Sequence, residues 1–186
     1  TLKTMSDFGI LTTTTGERIY HPTHGAKYRA GEYHIEGDAT AASYFLGAAA
    51  ILGGRCCVTN ISGNSAQGDL AFTDVLQRMG CHVRKGFLPN YMGIEVSRDP
   101  KTPLKAVDAD MNDIPDVAQT LAAVCMFADG PSSILNAGNL RIKETDWLTA
   151  LATELRRIGA KVEEGDDYLE ITPQTPQAAK IETYND

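Results

Sequence analysis

Long hydrophobic runs are missing from this sequence. The most extended, 41–52, is broken by Ser43, Tyr44 and Gly47, and it falls short of the roughly 20 apolar residues that a helix needs to cross a bilayer. Residues 1–9 have neither the basic stretch nor the apolar core of a secretion signal, which leaves the cytoplasm as the expected location. An excess of positive charge is also missing. The formal net charge is −7, which argues against grip on a phosphate backbone, so neither nucleic acid nor membrane is an expected partner. The four cysteines, Cys56, Cys57, Cys81 and Cys125, show no Cys-x-x-Cys spacing, and no histidine has a partner at zinc spacing. A metal site is therefore not expected. Cys56 and Cys57 would point to opposite faces of a strand, and all four thiols read as reduced. His21 and His24 are expected in a Pro/Gly loop, His34 and His82 in strands. There is no initiator methionine; opening on Thr1 reads as a piece taken from a longer chain.

What is present is enough for a real core: 186 residues, 42% hydrophobic and 22% charged, in the range of one globular domain. The sequence is also internally repetitive. An apolar helix, a strand, an amphipathic helix closed by glycine, and a hairpin are written twice, about 79 residues apart. In the first copy the pattern predicts a helix over 38–52, a β-branched strand over 55–61, a helix over 67–79 ended by Gly80, and a hairpin of 82–85 and 91–96 around Pro89 and Asn90. In the second it predicts a helix over 116–128, a strand over 132–136, a helix over 144–158 ended by Gly159, and a hairpin of 161–164 and 168–172. A truncated copy opens the chain, with Leu2, Met5 and Phe8 ahead of Gly9 and a hairpin closing near Tyr28.

The helices sort into two layers. Phe72, Leu76 and Met79, like Leu148, Leu151, Leu155 and Ile158, recur at three- and four-residue spacing and mark outer helices with one wet face. The helices over 41–51 and 117–127 are apolar all round and are expected inside. The paired hairpins demand antiparallel neighbours, and no GxGxxG follows a strand, so a parallel dinucleotide-binding sheet does not fit. The expected fold is α/β, built of repeated βαβαββ units. The chain reads as one partial domain, 1–186, with units at 1–29, 30–98 and 105–173 and the start of a further unit or hinge strand at 174–186.

Two clusters fall at starts of second-copy helices, where free N–H groups and the helix dipole favour anions. Around Asp113, Pro115 and Asp116 the simpler reading is capping, since Asp beside Pro is common at a helix start. In the other, Lys143, Glu144 and Trp147 would share a helix face if the helix begins there. A cation beside a carboxylate can bind an acidic substrate and move a proton. A solvated terminus with Glu144 and Asp146 against the dipole explains the same residues. Asp38 reads as the cap of its helix. Spacing alone leaves function undecided.

The motifs themselves resemble those of the EPSP synthases. The run from Glu36 through Asp38, Ser43 and Tyr44 to Phe45 is similar to that family's EGDASSASYF. Asn64, Ser65, Gln67, Gly68 and Asp69 fit its NSxQGD, and Asp110 to Asp116 its DMNxIPD. Arg141, Lys143, Glu144, Thr145 and Asp146 resemble RxKETD, and Tyr184, Asn185 and Asp186 the start of YNDHRM. The resemblance implies a lobe of three βαβαββ units about a pseudo-threefold axis, with buried apolar helices inside and sheets and amphipathic helices outside. It implies transfer of the enolpyruvyl group of phosphoenolpyruvate to the 5-hydroxyl of shikimate 3-phosphate, with no cofactor, in a cleft closed by a second lobe that this chain lacks. By position, Asp116 would be the base at the attacking hydroxyl, Glu144 would exchange protons with the methylene carbon, and Asn139 and Lys143 would hold shikimate 3-phosphate. Trp147 departs from the pattern, because the family places there an arginine that grips phosphoenolpyruvate. The chain alone is expected to be inactive. UDP-N-acetylglucosamine enolpyruvyl transferase is the nearest alternative, disfavoured by the IPD and KETD runs. RNA 3'-phosphate cyclase is disfavoured by the acidic balance, and a non-catalytic folding or binding module is the alternative of another class.

Overall fold

The same joints recur in both copies of the repeat. Asn60 and Asn136, each just after a strand, take left-handed φ values of 62° and 54°, and Gly80 and Gly159, each just after an outer helix, take 97° and 100°. At both glycines the next amide reaches back to the last turn, Cys81 to the Leu76 carbonyl and Ala160 to the Leu155 carbonyl, each at 3.0 Å. That closure needs a left-handed residue, which glycine supplies without a Cβ clash.

The computed structural model describes all residues except 17, 18, 89, 90, 185 and 186, and the side chains of 87, 88 and 91 are also left aside. The turn expected at Pro89 and Asn90 and the last two residues of the Tyr184 motif therefore lie outside the described residues. The chain divides into two units, Thr1–Ile35 and Glu36–Asp186. The first contains α1 (Leu2–Asp7) and an antiparallel pair, β1 (Thr12–Thr15) and β2 (Ile19–Pro22). Within it Arg29 donates its amide to the Phe8 carbonyl at 2.9 Å and Tyr33 stacks on Phe8 at 5.2 Å. His21 lies in β2, not in a loop, and the hairpin closes at Pro22. His34 is in no strand; residues 31–35 are exposed throughout.

In the second unit, α2 (Ala39–Leu52) begins at Asp38, whose side chain accepts from the amides of Thr40 and Ala41, the expected cap. It is followed by β3 (Gly54–Thr59), α3 (Phe72–Arg78), β4 (His82–Leu88) and β5 (Tyr91–Arg98), the strands forming an antiparallel sheet of order β3-β5-β4. The second copy is β6 (Asp108–Asp110), α4 (Ala118–Cys125), β7 (Ser132–Leu135), α5 (Trp147–Arg157), β8 (Lys161–Glu164) and β9 (Leu169–Thr172). Its sheet runs β6-β7-β9-β8, with β6 and β7 parallel and the rest antiparallel, which is one complete βαβαββ unit. Among the described residues, the first copy has no counterpart of the opening strand. A hydrogen bond from the Gly37 amide to the Asn60 carbonyl at 2.6 Å stands where Met111 meets Leu135 at 2.9 Å in the second.

Three helix starts differ from the pattern. Residues 68–71, 115–117 and 138–142 form 3-10 turns, and α5 starts at Trp147 because Asp146 caps it. Lys143 and Glu144 are thus in the approach to a helix, not on its face.

The outer helices bury one side as expected, with Phe72, Val75 and Leu76 inward on α3 and Leu148, Ala152 and Leu155 inward on α5. Between α2 and α4 the approach is close: a Cβ on Gly47 would lie 3.0 Å from the Thr120 methyl and 3.2 Å from Val124. Ser43 and Thr120 share a buried hydrogen bond of 2.8 Å across this contact. α4 is enclosed over most of its surface. α2 is not: Tyr44, Phe45 and Leu52 are 57%, 63% and 76% exposed. Its all-round apolar composition predicted enclosure, but the described residues cover only the side facing α4 and the sheet.

The far end of α2 is closed by Arg98, a buried side chain. Its guanidinium donates to the carbonyls of Ala50 at 2.7 Å and Ile51 at 3.1 Å, to Asp99 at 3.3 Å, and to Thr102. Arg98→Met would orphan these acceptors, at about 1–3 kcal/mol for each that water cannot reach. The expected loss is about 3 kcal/mol, read as a lower urea midpoint at constant slope. A loss below about 1 kcal/mol would mean that the carbonyls do not depend on Arg98.

Candidate functional site

Four of the motif segments meet at the end of the second unit where α2 begins. The first two lock onto each other. Ser65 Oγ donates to Glu36 Oε1 at 2.5 Å, and Gln67 donates from Nε2 to the Gly37 carbonyl at 2.8 Å while its Oε1 accepts the Ala39 amide at 2.8 Å. Thr40 Oγ1 donates to Asp69 Oδ2. These side chains form a frame around the start of α2. Gly68, within that frame, lies against the loop before Asp116: a Cβ there would meet the Asp113 carbonyl at 3.4 Å.

Asp116 sits in the 3-10 turn that leads into α4, directly after Pro115. It is not a side-chain cap, so its carboxylate is available for another partner. That partner is Lys143, whose Nζ donates to Asp116 Oδ1 at 2.8 Å. The pair is only partly covered, with 46% of the Asp116 side chain and 30% of Lys143 exposed. The Lys143 ammonium also stands 5.4 Å from the centre of the Trp147 ring, within the range of a cation–π contact. Its hydrogen bond to Asp116 raises the Lys143 pKa above its ordinary value against the effect of partial burial, and the charges of Asp116, Glu144 and Asp69 add to the rise. At neutral pH this lysine is firmly cationic.

Asn139 donates to the Asn112 carbonyl at 3.4 Å, which joins the 138–142 turn to the loop carrying Asp116. Its Oδ1 is buried with no partner among the described residues. Asn112 and Asn139 line a polar recess of about 480 Å3 together with Asp110, Asn136, Gly138 and Asp167. Glu144 is exposed and acts on Lys143 through its charge. Trp147 lines a separate cavity of about 470 Å3 with Tyr44, Gln119, Thr145, Leu151 and Glu154.

Of the five candidates read from the sequence, Lys143 contacts both Asp116 and Trp147, Asn139 is tied to the same loop as Asp116, and Glu144 lies within electrostatic reach. Asp69 and Asn112 belong to the cluster but were not singled out; both sit in quoted motifs, yet spacing gave no reason to choose them. Among the described residues, no three His, Cys, Asp or Glu side chains are grouped to hold a metal, and the four cysteines are free thiols. Chemically the arrangement offers a carboxylate and an ammonium at hydrogen-bond distance on a solvent-facing rim. Such a pair can accept a proton from a hydroxyl and hold an anion beside it.

Asp146, three residues after Lys143, caps α5. Burial pushes its carboxyl up, but the Thr149 amide at 3.0 Å, the Thr149 hydroxyl at 3.0 Å and the Arg141 guanidinium at 2.9 Å bring it below its ordinary value. A lowered pKa means that this carboxylate stabilises the fold above the ordinary range, with the contribution lost as pH falls through its folded value. The wild-type chain should therefore lose stability below about pH 4 more steeply than Asp146→Asn, as followed by urea unfolding at pH 6 and pH 3. Equal slopes would show that Asp146 carries no such linkage. Asp146→Ala, which also removes the cap, should cost about 1 kcal/mol at neutral pH.

Comparison with known proteins adds the family. A model described as EPSP synthase (3-phosphoshikimate 1-carboxyvinyltransferase) matches residues 1–186. The 3-phosphoshikimate 1-carboxyvinyltransferases of Yersinia ruckeri and of Sodalis glossinidius (strain morsitans) are 49% identical over 188 residues and 50% identical over 189. Each alignment covers 100% of this chain and 42% of the relative, so the chain spans less than half the length of these curated relatives. Among solved structures, EPSP synthase from Acinetobacter baumannii superposes with a TM-score of 0.74 at 20% identity, over 92% of this chain and 39% of that one. The enolpyruvyl transferase NikO from Streptomyces tendae gives 0.66 at 20% identity over the same shares. These two establish likeness of fold. With the family model matching from the first residue to the last and half the positions identical to named relatives, the chain belongs to the EPSP synthase family.

Proposed function

We propose that this chain forms the greater part of one lobe of a 3-phosphoshikimate 1-carboxyvinyltransferase, which moves the enolpyruvyl group of phosphoenolpyruvate to the 5-hydroxyl of shikimate 3-phosphate in the cytoplasm. The contact that carries the reading is the 2.8 Å hydrogen bond from Lys143 to Asp116, because it puts a base and an anion-holding cation side by side at one rim. In the addition step the 5-hydroxyl oxygen bonds to C2 of phosphoenolpyruvate, its proton passes to Asp116, and the methylene carbon gains a proton from Glu144. In the elimination step the bond from C2 to the phosphate oxygen breaks, phosphate leaves with the proton that Asp116 took up, and the new methyl returns a proton to Glu144. Asn139 and Lys143 hold shikimate 3-phosphate. No cofactor enters, since the hydroxyl oxygen supplies the pair for the new C–O bond and the enol double bond supplies the pair that takes up the proton.

A second lobe completes the cleft. The two substrates are anionic, and this chain has a net charge of −7 with Lys143 already facing three carboxylates. Further cations must come from outside it. Purified alone, the chain should release no phosphate above a blank, and mixing it with the complementary remainder of the protein should restore turnover. Activity of the chain by itself would contradict the reading.

In the full-length enzyme, Asp116→Asn and Glu144→Gln should each lower kcat by about 10²–10⁴-fold, the usual worth of a positioned acid or base. Unchanged kcat for both would refute the assigned roles. Trp147 stands where the family has a guanidinium, and a charge-assisted contact is worth about 1.5–3 kcal/mol. Trp147→Arg should accordingly lower the KM for phosphoenolpyruvate by about ten- to a hundredfold. An unaltered KM would show that Trp147 does not weaken that contact.

A further inference from the structure

Arg141 spends its whole donor set within the protein. Its Nε donates to the Asp166 carbonyl at 2.7 Å, and its Nη1 to Asp146 Oδ2 at 2.9 Å and Thr149 Oγ1 at 3.0 Å. Its Nη2 donates to Glu164 Oε1 at 3.2 Å and the Gly165 carbonyl at 2.6 Å. A guanidinium has five N–H groups, and here each has an acceptor, drawn from the start of α5, the end of β8 and the turn after it. The neighbouring carboxylates raise the Arg141 pKa despite partial burial. No donor is left over for a substrate, so contact with a ligand does not account for this residue.

Its place in the chain does. Arg141 lies in the last part of the 138–142 turn and Asp146 caps α5, so their ion pair of 2.9 Å closes the ends of a loop that contains Lys143 and Glu144. Lys143 itself has an extended backbone, φ −77° and ψ −168°, outside any helix that would fix it. On the far side, Glu164 Oε1 lies 2.7 Å from Thr149 Oγ1, as the alternative acceptor to Asp146 for its single hydroxyl hydrogen, and Arg156 reaches Glu164 at 3.6 Å, anchoring the clamp to the sheet. We propose that Arg141 is a positioning residue: by clamping the 141–146 loop to α5 and the β8–β9 turn it sets the Lys143 ammonium against Asp116. This rests on the reading of Lys143 as a group that holds the phosphorylated substrate. Lysine at 141 would keep the charge but not the fork that spans three elements.

The chain has one tryptophan, and Lys143 lies over its ring, so Trp147 emission reports where the ammonium is. The spectra to compare, in the chain without ligand, are those of wild type, Lys143→Met, Arg141→Lys, Asp146→Asn and the Arg141→Lys/Lys143→Met double variant. Lys143→Met should shift the emission. Arg141→Lys should give the same shift with unchanged far-ultraviolet circular dichroism, and the double variant should match Lys143→Met alone. Asp146→Asn keeps a capping side chain and loses only the carboxylate of the clamp; it should give part of the shift, and it serves as the test if Arg141→Lys does not fold. Wild-type emission in Arg141→Lys or Asp146→Asn, or additive shifts in the double variant, would overturn the proposal. So would a Lys143→Met spectrum identical to wild type.

In the full-length enzyme, Arg141→Lys should raise the KM for shikimate 3-phosphate about tenfold with kcat nearly unchanged, and should have no further effect once Lys143 is Met. If Lys143→Met leaves that KM unaltered, the reading of the substrate site fails, while the emission data decide the clamp separately.

Discussion

The buried hydrogen bond between Ser43 and Thr120 fixes the rest of the second unit, because it sets the register of the two apolar helices. Each residue lies near the start of its helix, and Gly47 brings the backbones together one turn further along, against Thr120 and Val124. The helices therefore run the same way with their first turns at one end. That end receives the frame of Glu36, Ser65 and Gln67 from one copy and Asp116 from the other. Ser43 Oγ also donates to the Thr40 carbonyl at 2.6 Å, so it accepts from Thr120, and a slip along the helix would take that acceptor from the buried Thr120 hydroxyl. Packing alone would tolerate such a slip more readily.

The repeat, the outer helices, the Asp38 cap and the left-handed glycines were legible because each rests on a local rule. Gly80 and Gly159 follow their helices as closure requires, and Leu148, Leu155, Phe72 and Leu76 keep a helical period. The start of α5 was misplaced by three residues, although Asp146 was a visible capping residue. Lys143 and Glu144 drew the boundary forward because their charges suited a helix terminus. Placing Lys143 before the helix changes its partner: a helical Lys143 would face its own first turn, whereas the extended one reaches Asp116 across the site. The exposure of Tyr44 and Phe45 could not be read at all, since an apolar helix looks the same whether or not its neighbour belongs to the chain. His34 shows the converse, a plausible strand residue in a segment that forms no strand.

Several cations of the second unit are already committed within it. Arg98 is committed to helix carbonyls, Arg141 to the loop clamp, Lys85 to Asp74, and Arg156 and Arg157 to carboxylates near α5. Lys143 is the cation of the candidate cluster, and it is held by a carboxylate. An arriving anion would compete with Asp116 for it, and the competition weakens the anion while loosening the carboxylate from its partner. Cation and carboxylate are thereby coupled, so that a ligand drawing on one frees the other.

The bare side of α2 bears on how the molecule behaves in bulk. Tyr44, Phe45 and Leu52 present an adhesive surface on a molecule whose acidic balance makes copies repel one another. That repulsion reaches about 10 Å at 0.1 M salt and about 3 Å at 1 M. Dilute buffer thus keeps the sticky faces apart, while concentrated salt removes the barrier and strengthens apolar attraction at once. Solubility is governed by the same uncovered residues that close packing in the interior leaves aside.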